Sequence, residues 1–63
     1  MDFDQLIKDV GSKTTIEDSV DTLVIEVANE LMANADNPNV ITDLAAKLVM
    51  NHKALSSAVA ENT

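Results

Sequence analysis

The sequence contains no cysteine, arginine, tryptophan or tyrosine, and glycine, proline, phenylalanine and histidine occur once each. Without cysteine the chain forms neither disulfides nor thiolate metal sites, so no covalent cross-link stabilises it. A single glycine excludes a glycine-rich phosphate-binding loop. A chain of 63 residues buries only about 60% of its unfolded surface, so its own core is small. We therefore expect one domain, residues 1–63, that shares its core with another copy.

Positive charge is also scarce, since four lysines stand against eleven acidic residues and the formal net charge is −7. Most of the acidic residues lie within residues 1–36. Such a chain is repelled by phosphate backbones and anionic lipid, and Phe3 is its only stacking aromatic. No apolar run approaches the ~20 residues of a membrane span, and the acidic start is unlike a signal peptide. These features predict a cytoplasmic protein with no direct nucleic-acid or membrane binding.

The first predicted helix is short. Phe3, Leu6, Ile7 and Val10 follow the i, i+3, i+4, i+7 spacing of one helical face, which predicts a helix over about 2–10. Gly11 follows where a helix commonly ends in a left-handed residue. A helix of this length is not stable alone. We expect its apolar face to pack either on its own chain or on a neighbouring copy.

Two longer helices follow, at about 15–35 and about 38–60. Thr14 and Glu17 have the spacing of a capping box at the start of the first of these. The Asn37–Pro38 pair suits the start of the second, because asparagine is a good cap and proline needs no donor in the first turn. The short break between them predicts antiparallel neighbours. The fold class is therefore all-α: a short N-terminal helix and an antiparallel helical hairpin.

Each long helix has one apolar stripe that should face the other helix. The stripe of the second helix consists of Ile16, Val20, Leu23, Val24, Val27 and Leu31. The stripe of the third consists of Ile41, Leu44, Ala45, Leu48, His52, Leu55 and Val59. In an antiparallel pair these stripes should form layers: Leu31 with Leu44, Val27 with Leu48, Val24 with His52, Val20 with Leu55, and Ile16 with Val59. The polar residues 61–63 are expected to fray.

A second apolar series lies away from these stripes. On the second helix it follows Asp21, Ile25, Ala28, Met32 and Ala35, of which only Asp21 is charged, and on the third helix its members are Ala46, Met50 and Ala54. A helix that is apolar on two sides is usually buried on two sides. We expect this series to form an oligomer or partner interface, together with Phe3, Leu6, Ile7 and Val10 if the first helix reaches a neighbour. The predicted assembly is a homo-oligomeric helical bundle.

His52 is the only side chain that titrates near neutral pH. A catalytic or metal-binding histidine needs converging partners, and the apolar stripe offers none. We interpret His52 as a register-setting residue or a pH-sensitive part of an interface. Ser56 and Ser57 have no base to activate them. The sequence therefore predicts no enzyme, no metal site, no cofactor and no catalytic residue.

Three functions fit these features. The first is a non-enzymatic, self-associating helical module that binds proteins, as small phage or bacterial accessory proteins do. The second is an acidic inhibitor or nucleic-acid mimic that blocks a basic groove on a target protein, since the chain has a net charge of −7 and most of its acidic residues lie within residues 1–36. The third is a ligand-sequestering oligomer, in which lysines would attract an anionic ligand: Lys8, Lys13, Lys47 or Lys53.

Overall fold

A computed structural model describes the whole chain, Met1–Thr63, and contains three helices and no strand. The helices are α1 (Phe3–Gly11), α2 (Ile16–Ala33) and α3 (Pro38–Ala60), and each of them packs against the other two. The prediction of an all-helical chain is confirmed, and the predicted helix ends differ from the observed ones by no more than two residues. No helix combines the length and the hydropathy that a membrane crossing requires.

Helix α1 begins at a capping residue but ends differently from the prediction. The Asp2 carboxylate accepts a hydrogen bond from the backbone N–H of Gln5 at 3.2 Å. Gly11 is the last helical residue and does not have a positive φ, so the expected left-handed glycine is wrong. The helix ends instead on Ser12, whose N–H donates to the Lys8 carbonyl at 3.0 Å. A right-handed end of this kind does not require glycine.

The caps of the two longer helices depart from expectation in detail. Thr15 caps α2, since its Oγ1 accepts from the Asp18 N–H at 3.1 Å, so the predicted capping box at Thr14 is one residue too early. Both threonines precede an acidic residue by three positions, and only the backbone conformation decides between them. Asn37 occupies the cap position of α3 without a side-chain capping bond, and Pro38 opens the helix as predicted.

The hydrophobic core is built around α1. Its buried apolar members are Phe3, Leu6 and Val10 of α1 and Leu44, Leu55 and Ala58 of α3. Helix α2 contributes Leu23 and Val27, which are only partly buried. The apolar face of the first helix was expected to pack either on its own chain or on a neighbouring copy. In the structure it packs on its own chain.

This position of α1 leaves much of the expected core exposed. Six members of the predicted stripes are exposed, with Val24 at 58%: Ile16, Val20, Val24, Leu31, Ala45 and His52. At about 100° per residue, Leu23 and Val24 diverge to opposite sides of the α2 stripe. Helix α1 covers the Leu23 side, and the Val24 side faces away from it. The predicted core layer formed by Val24 and His52 is therefore wrong.

The chain end is ordered by a buried asparagine. Asn62 is 8% exposed, and its Nδ2 lies 2.8 Å from the Val10 carbonyl, 2.6 Å from Ser19 Oγ and 3.0 Å from the Ala58 carbonyl. Ser19 is fully buried and donates to the Thr15 carbonyl at 2.8 Å. The expected fraying of residues 61–63 is wrong for Asn62, because this amide joins the ends of all three helices.

Candidate protein-interaction groove

An open apolar groove runs between α2 and α3, with a volume of about 510 Å³. We call it the α2–α3 groove. Its lining comprises Leu23, Val24, Val27, Ala28 and Leu31 of α2 and Leu48, His52, Leu55 and Ser56 of α3. Helix α1 contributes no residue to it. The groove is therefore the part of the two apolar stripes that α1 leaves uncovered.

The groove carries no charge, although the chain as a whole is strongly acidic. None of the eleven acidic residues and none of the four lysines lines it. His52 is its only titratable side chain and Ser56 its only other polar one. A surface with this lining gains free energy when apolar side chains displace its water, at about 25 cal/mol per Å² of apolar area. Its chemistry suits an apolar protein surface.

His52 and Val24 both line the open groove, whereas the sequence pattern placed them together in the core. The Nδ1 of His52 is 2.6 Å from the Val49 carbonyl oxygen, one turn earlier in α3. Because a carbonyl oxygen only accepts, Nδ1 carries the hydrogen and donates it. In the neutral ring Nε2 then remains as an acceptor. The imidazole is held by its own helix and makes no hydrogen bond to α2.

Part of the predicted interface lies beside this groove. Ala28 lines it, and Ile25 and Met32 are 57% and 69% exposed on the same helix. Measured around the axis of α2, Ile25 and Met32 lie about 140–160° from Val27, on the side of Val24 and Ala28. They extend the apolar wall of α2 outwards. We call Ile25 and Met32 the α2 ridge.

The rest of the predicted interface lies elsewhere. Met50 is 80% exposed, but it borders a shallow depression next to Phe3 and Asp4 at the start of α1, away from the groove. Three further members are the exposed Ala46 and Ala54 of α3 and the half-buried Ile7 of α1. The other three members are buried in the core of the chain: Phe3, Leu6 and Val10. The structure therefore does not bring the whole predicted set onto one surface.

Sequence reasoning missed the main groove residues because it assigned them to the core. Val24 and Leu31 follow the helical stripe as closely as Val27 does, and nothing in the spacing separates them. One signal in the sequence did point to an uncovered surface. Helix α1 has only nine residues, so its one apolar face is too small to cover both sides of two longer helices.

Asp9 of α1 lies beside Glu26 of α2, and neither residue lines the groove. Loss of hydration raises the pKa of Glu26, and the charge of Asp9 and a hydrogen bond with it add to the shift, while Lys13 opposes it. Glu30 accepts from Asn34 Nδ2 at 3.1 Å and from the α-amino group of Met1 at 3.4 Å. No group of three or more histidine, aspartate or glutamate side chains is placed to hold a metal ion.

Comparisons with protein-family models, with curated proteins and with solved structures find no match to this chain.

Proposed function

We propose that the protein is a non-enzymatic, self-associating helical interaction module. In this proposal α2 and α3 act as a helical hairpin, and the α2–α3 groove of one copy receives a second copy. The observation that supports it is the charge-free apolar groove on a chain of net charge −7. Two copies of an acidic chain repel each other at most points of contact, and this groove is a surface where they meet without opposing carboxylates.

The size of the core also supports a partner. Only six apolar residues are buried in the chain. Its accessible surface is 4242 Å², whereas a folded monomer of this size exposes about 3,900 Å². A typical stable interface removes about 800 Å² from each partner, which is about a fifth of this surface.

The shape of the face favours a second copy over an unrelated partner. The α2–α3 groove is concave, and the α2 ridge of Ile25 and Met32 borders it on the same helix. A two-fold axis through this face places the ridge of each copy against the groove of the other. The same patch then serves both partners, as in most homodimers. The resulting assembly is a bundle with α2 and α3 of both copies inside and α1 outside.

Sedimentation equilibrium at neutral pH and tens of micromolar protein tests the proposal. We expect the wild type to have twice the mass of one chain, and Val24→Glu to have the mass of one chain, because it places a carboxylate in the groove. Met50→Glu is the matched control, since it adds the same charge to an exposed site outside the groove. Circular dichroism shows whether each variant remains helical.

A folded wild-type chain that has the mass of one copy under these conditions contradicts the proposal. If Met50→Glu dissociates the assembly as fully as Val24→Glu does, the copies associate through another surface. If Val24→Glu stays helical and keeps the wild-type mass, the groove is not the interface.

A further inference from the structure

The groove contains one group that can change its charge under mild conditions. His52 lies between Leu48 and Leu55 on the α3 wall, and Val24 and Ala28 line the opposite wall. A second copy seated in the groove would remove water from this imidazole. A histidine in that position is tolerated when neutral and disfavoured when charged, because an unpaired buried charge is costly.

We propose that protonation of His52 opposes self-association, so that the assembly dissociates on mild acidification. This inference rests on the proposed function, because it requires the second copy to occupy the α2–α3 groove. In the neutral ring Nδ1–H donates a hydrogen bond to Val49 O at 2.6 Å. Only the acceptor nitrogen Nε2 then remains without a hydrogen bond from the chain. Protonation converts that acceptor into a charged donor, and the groove wall holds no carboxylate to pair with it, only the hydroxyl of Ser56.

The charges around His52 offer no compensation. On its own helix the adjacent charged residue is Lys53, which carries the same sign as a protonated imidazole. From α2 no aspartate, glutamate or lysine lines the groove, and α1 contributes no residue there. In the two-fold arrangement the other copy presents its α2 ridge, whose helix face also carries the exposed Asp21, one turn before Ile25. The groove lining of each chain itself contains no carboxylate to pair with the cation.

The direction of the pH effect follows from which form binds. Because the neutral form is the one that assembles, association is strongest at neutral pH and weakens on mild acidification, the range in which histidine side chains change charge. One linked proton changes the association constant by up to tenfold per pH unit, and a symmetric dimer has two such histidines.

The test measures the dimer dissociation constant at about pH 7.5 and about pH 5.5, on either side of the ordinary histidine value. For the wild type we expect an increase of tenfold or more at the lower pH. His52→Gln is the matched variant, because glutamine keeps a polar side chain that does not titrate. We expect its dissociation constant to stay level or to fall, since protonation of carboxylates reduces the repulsion between acidic chains. His52→Lys keeps a positive charge and should be monomeric at both pH values.

The outcomes separate this inference from the function on which it rests. A wild-type dimer that is equally tight at both pH values, or an equal weakening of His52→Gln, overturns the role of His52 and leaves self-association standing. A helical His52→Lys that dimerises like the wild type overturns it as well. A wild-type chain that is monomeric at about pH 7.5 overturns both.

Discussion

The side-chain amide of Asn62 donates a 2.6 Å hydrogen bond to the hydroxyl oxygen of Ser19, which lies 43 residues earlier in the chain. The bond connects the end of α3 to the first turns of α2, and the same amide nitrogen reaches the Val10 carbonyl at the end of α1. These are the two buried polar residues of the chain, and neither has an unsatisfied polar atom. Together they fix how the three helices meet at this end.

We expect Asn62→Ala to lower the free energy of unfolding by about 1–3 kcal/mol, because it removes the hydrogen bonds that the amide donates to the Val10 carbonyl and the Ser19 hydroxyl. In a domain this small each kcal/mol lowers Tm by about 4–8 °C. Thermal unfolding followed by circular dichroism measures the change. Variants should be compared at equal protein concentration, because association would add to the apparent stability.

Asn51→Ala provides the control for that variant. Asn51 Nδ2 donates to the Lys47 carbonyl at 2.8 Å, four residues earlier, as Asn62 Nδ2 does to Ala58. It makes no bond to another helix. A loss of stability as large as that of Asn62→Ala would show that the contact between helices contributes nothing.

The Ser19–Asn62 pair should behave as a coupled unit. Ser19→Ala and Asn62→Ala remove the two ends of one hydrogen bond, so the double variant should be less destabilised than the sum of the single variants. Contacting residues of this kind show interaction free energies of about 0.5–3 kcal/mol. Urea unfolding of the four proteins measures the coupling. If the effects of the two single variants on the free energy of unfolding simply add up in the double variant, the Ser19–Asn62 hydrogen bond contributes no coupling energy.

The cap of α2 gives a comparison between adjacent threonines. Thr15→Ala should lower the free energy of unfolding by about 1 kcal/mol, because it removes the acceptor of the Asp18 N–H. Thr14→Ala should change it by less than about 0.5 kcal/mol, since Thr14 is exposed and caps nothing. Urea unfolding distinguishes the two, and the opposite ranking would place the helix start at Thr14.

Glu26→Gln should stabilise the folded chain at neutral pH. Loss of hydration and the nearby Asp9 raise the pKa of Glu26 above its ordinary value of 4.5. The folded chain therefore binds this proton more tightly than the unfolded chain, so the stability from Glu26 is complete below pH 4.5 and is lost as the pH rises through the raised pKa.

Unfolding of Glu26→Gln and the wild type across this range measures that effect. The advantage of the variant should grow above pH 4.5 and vanish below it. Glu17→Gln, at an exposed position in the first turn of α2, is the control. A variant that is less stable than the wild type at neutral pH would show that the Glu26 charge stabilises the fold.

The sequence predicted the helices well because their signals are local. The spacing of Phe3, Leu6 and Val10 defined the buried face of α1, and Pro38 marked the start of α3. Local spacing does not say how a stripe is divided between two neighbours. Leu23 and Val24 belong to one stripe, and only the position of α1 makes the first partly buried and the second exposed.

The candidate site was partly predictable for the same reason. Ile25 and Met32 are both exposed on α2, and helical spacing alone puts them on one side of it, but the rotation of α3 about its axis is set by tertiary packing. Met50 therefore could not be assigned to a face from its spacing. Asn62 was missed because a polar residue near the chain end resembles a frayed tail, although it lies four residues after the buried Ala58 on the same helical face.

Nuclear Overhauser contacts between copies, measured in a mixture of isotope-labelled and unlabelled chains, test the central claim that a second copy covers the α2–α3 groove. We expect contacts from the methyl groups of Val24 and Leu31 of one chain to the Ile25 or Met32 methyl groups of the other. Absence of any contact between copies, in a sample with the mass of a single chain, would contradict this claim. Contacts confined to Leu6 and its neighbours would instead show an exchange of α1 between copies.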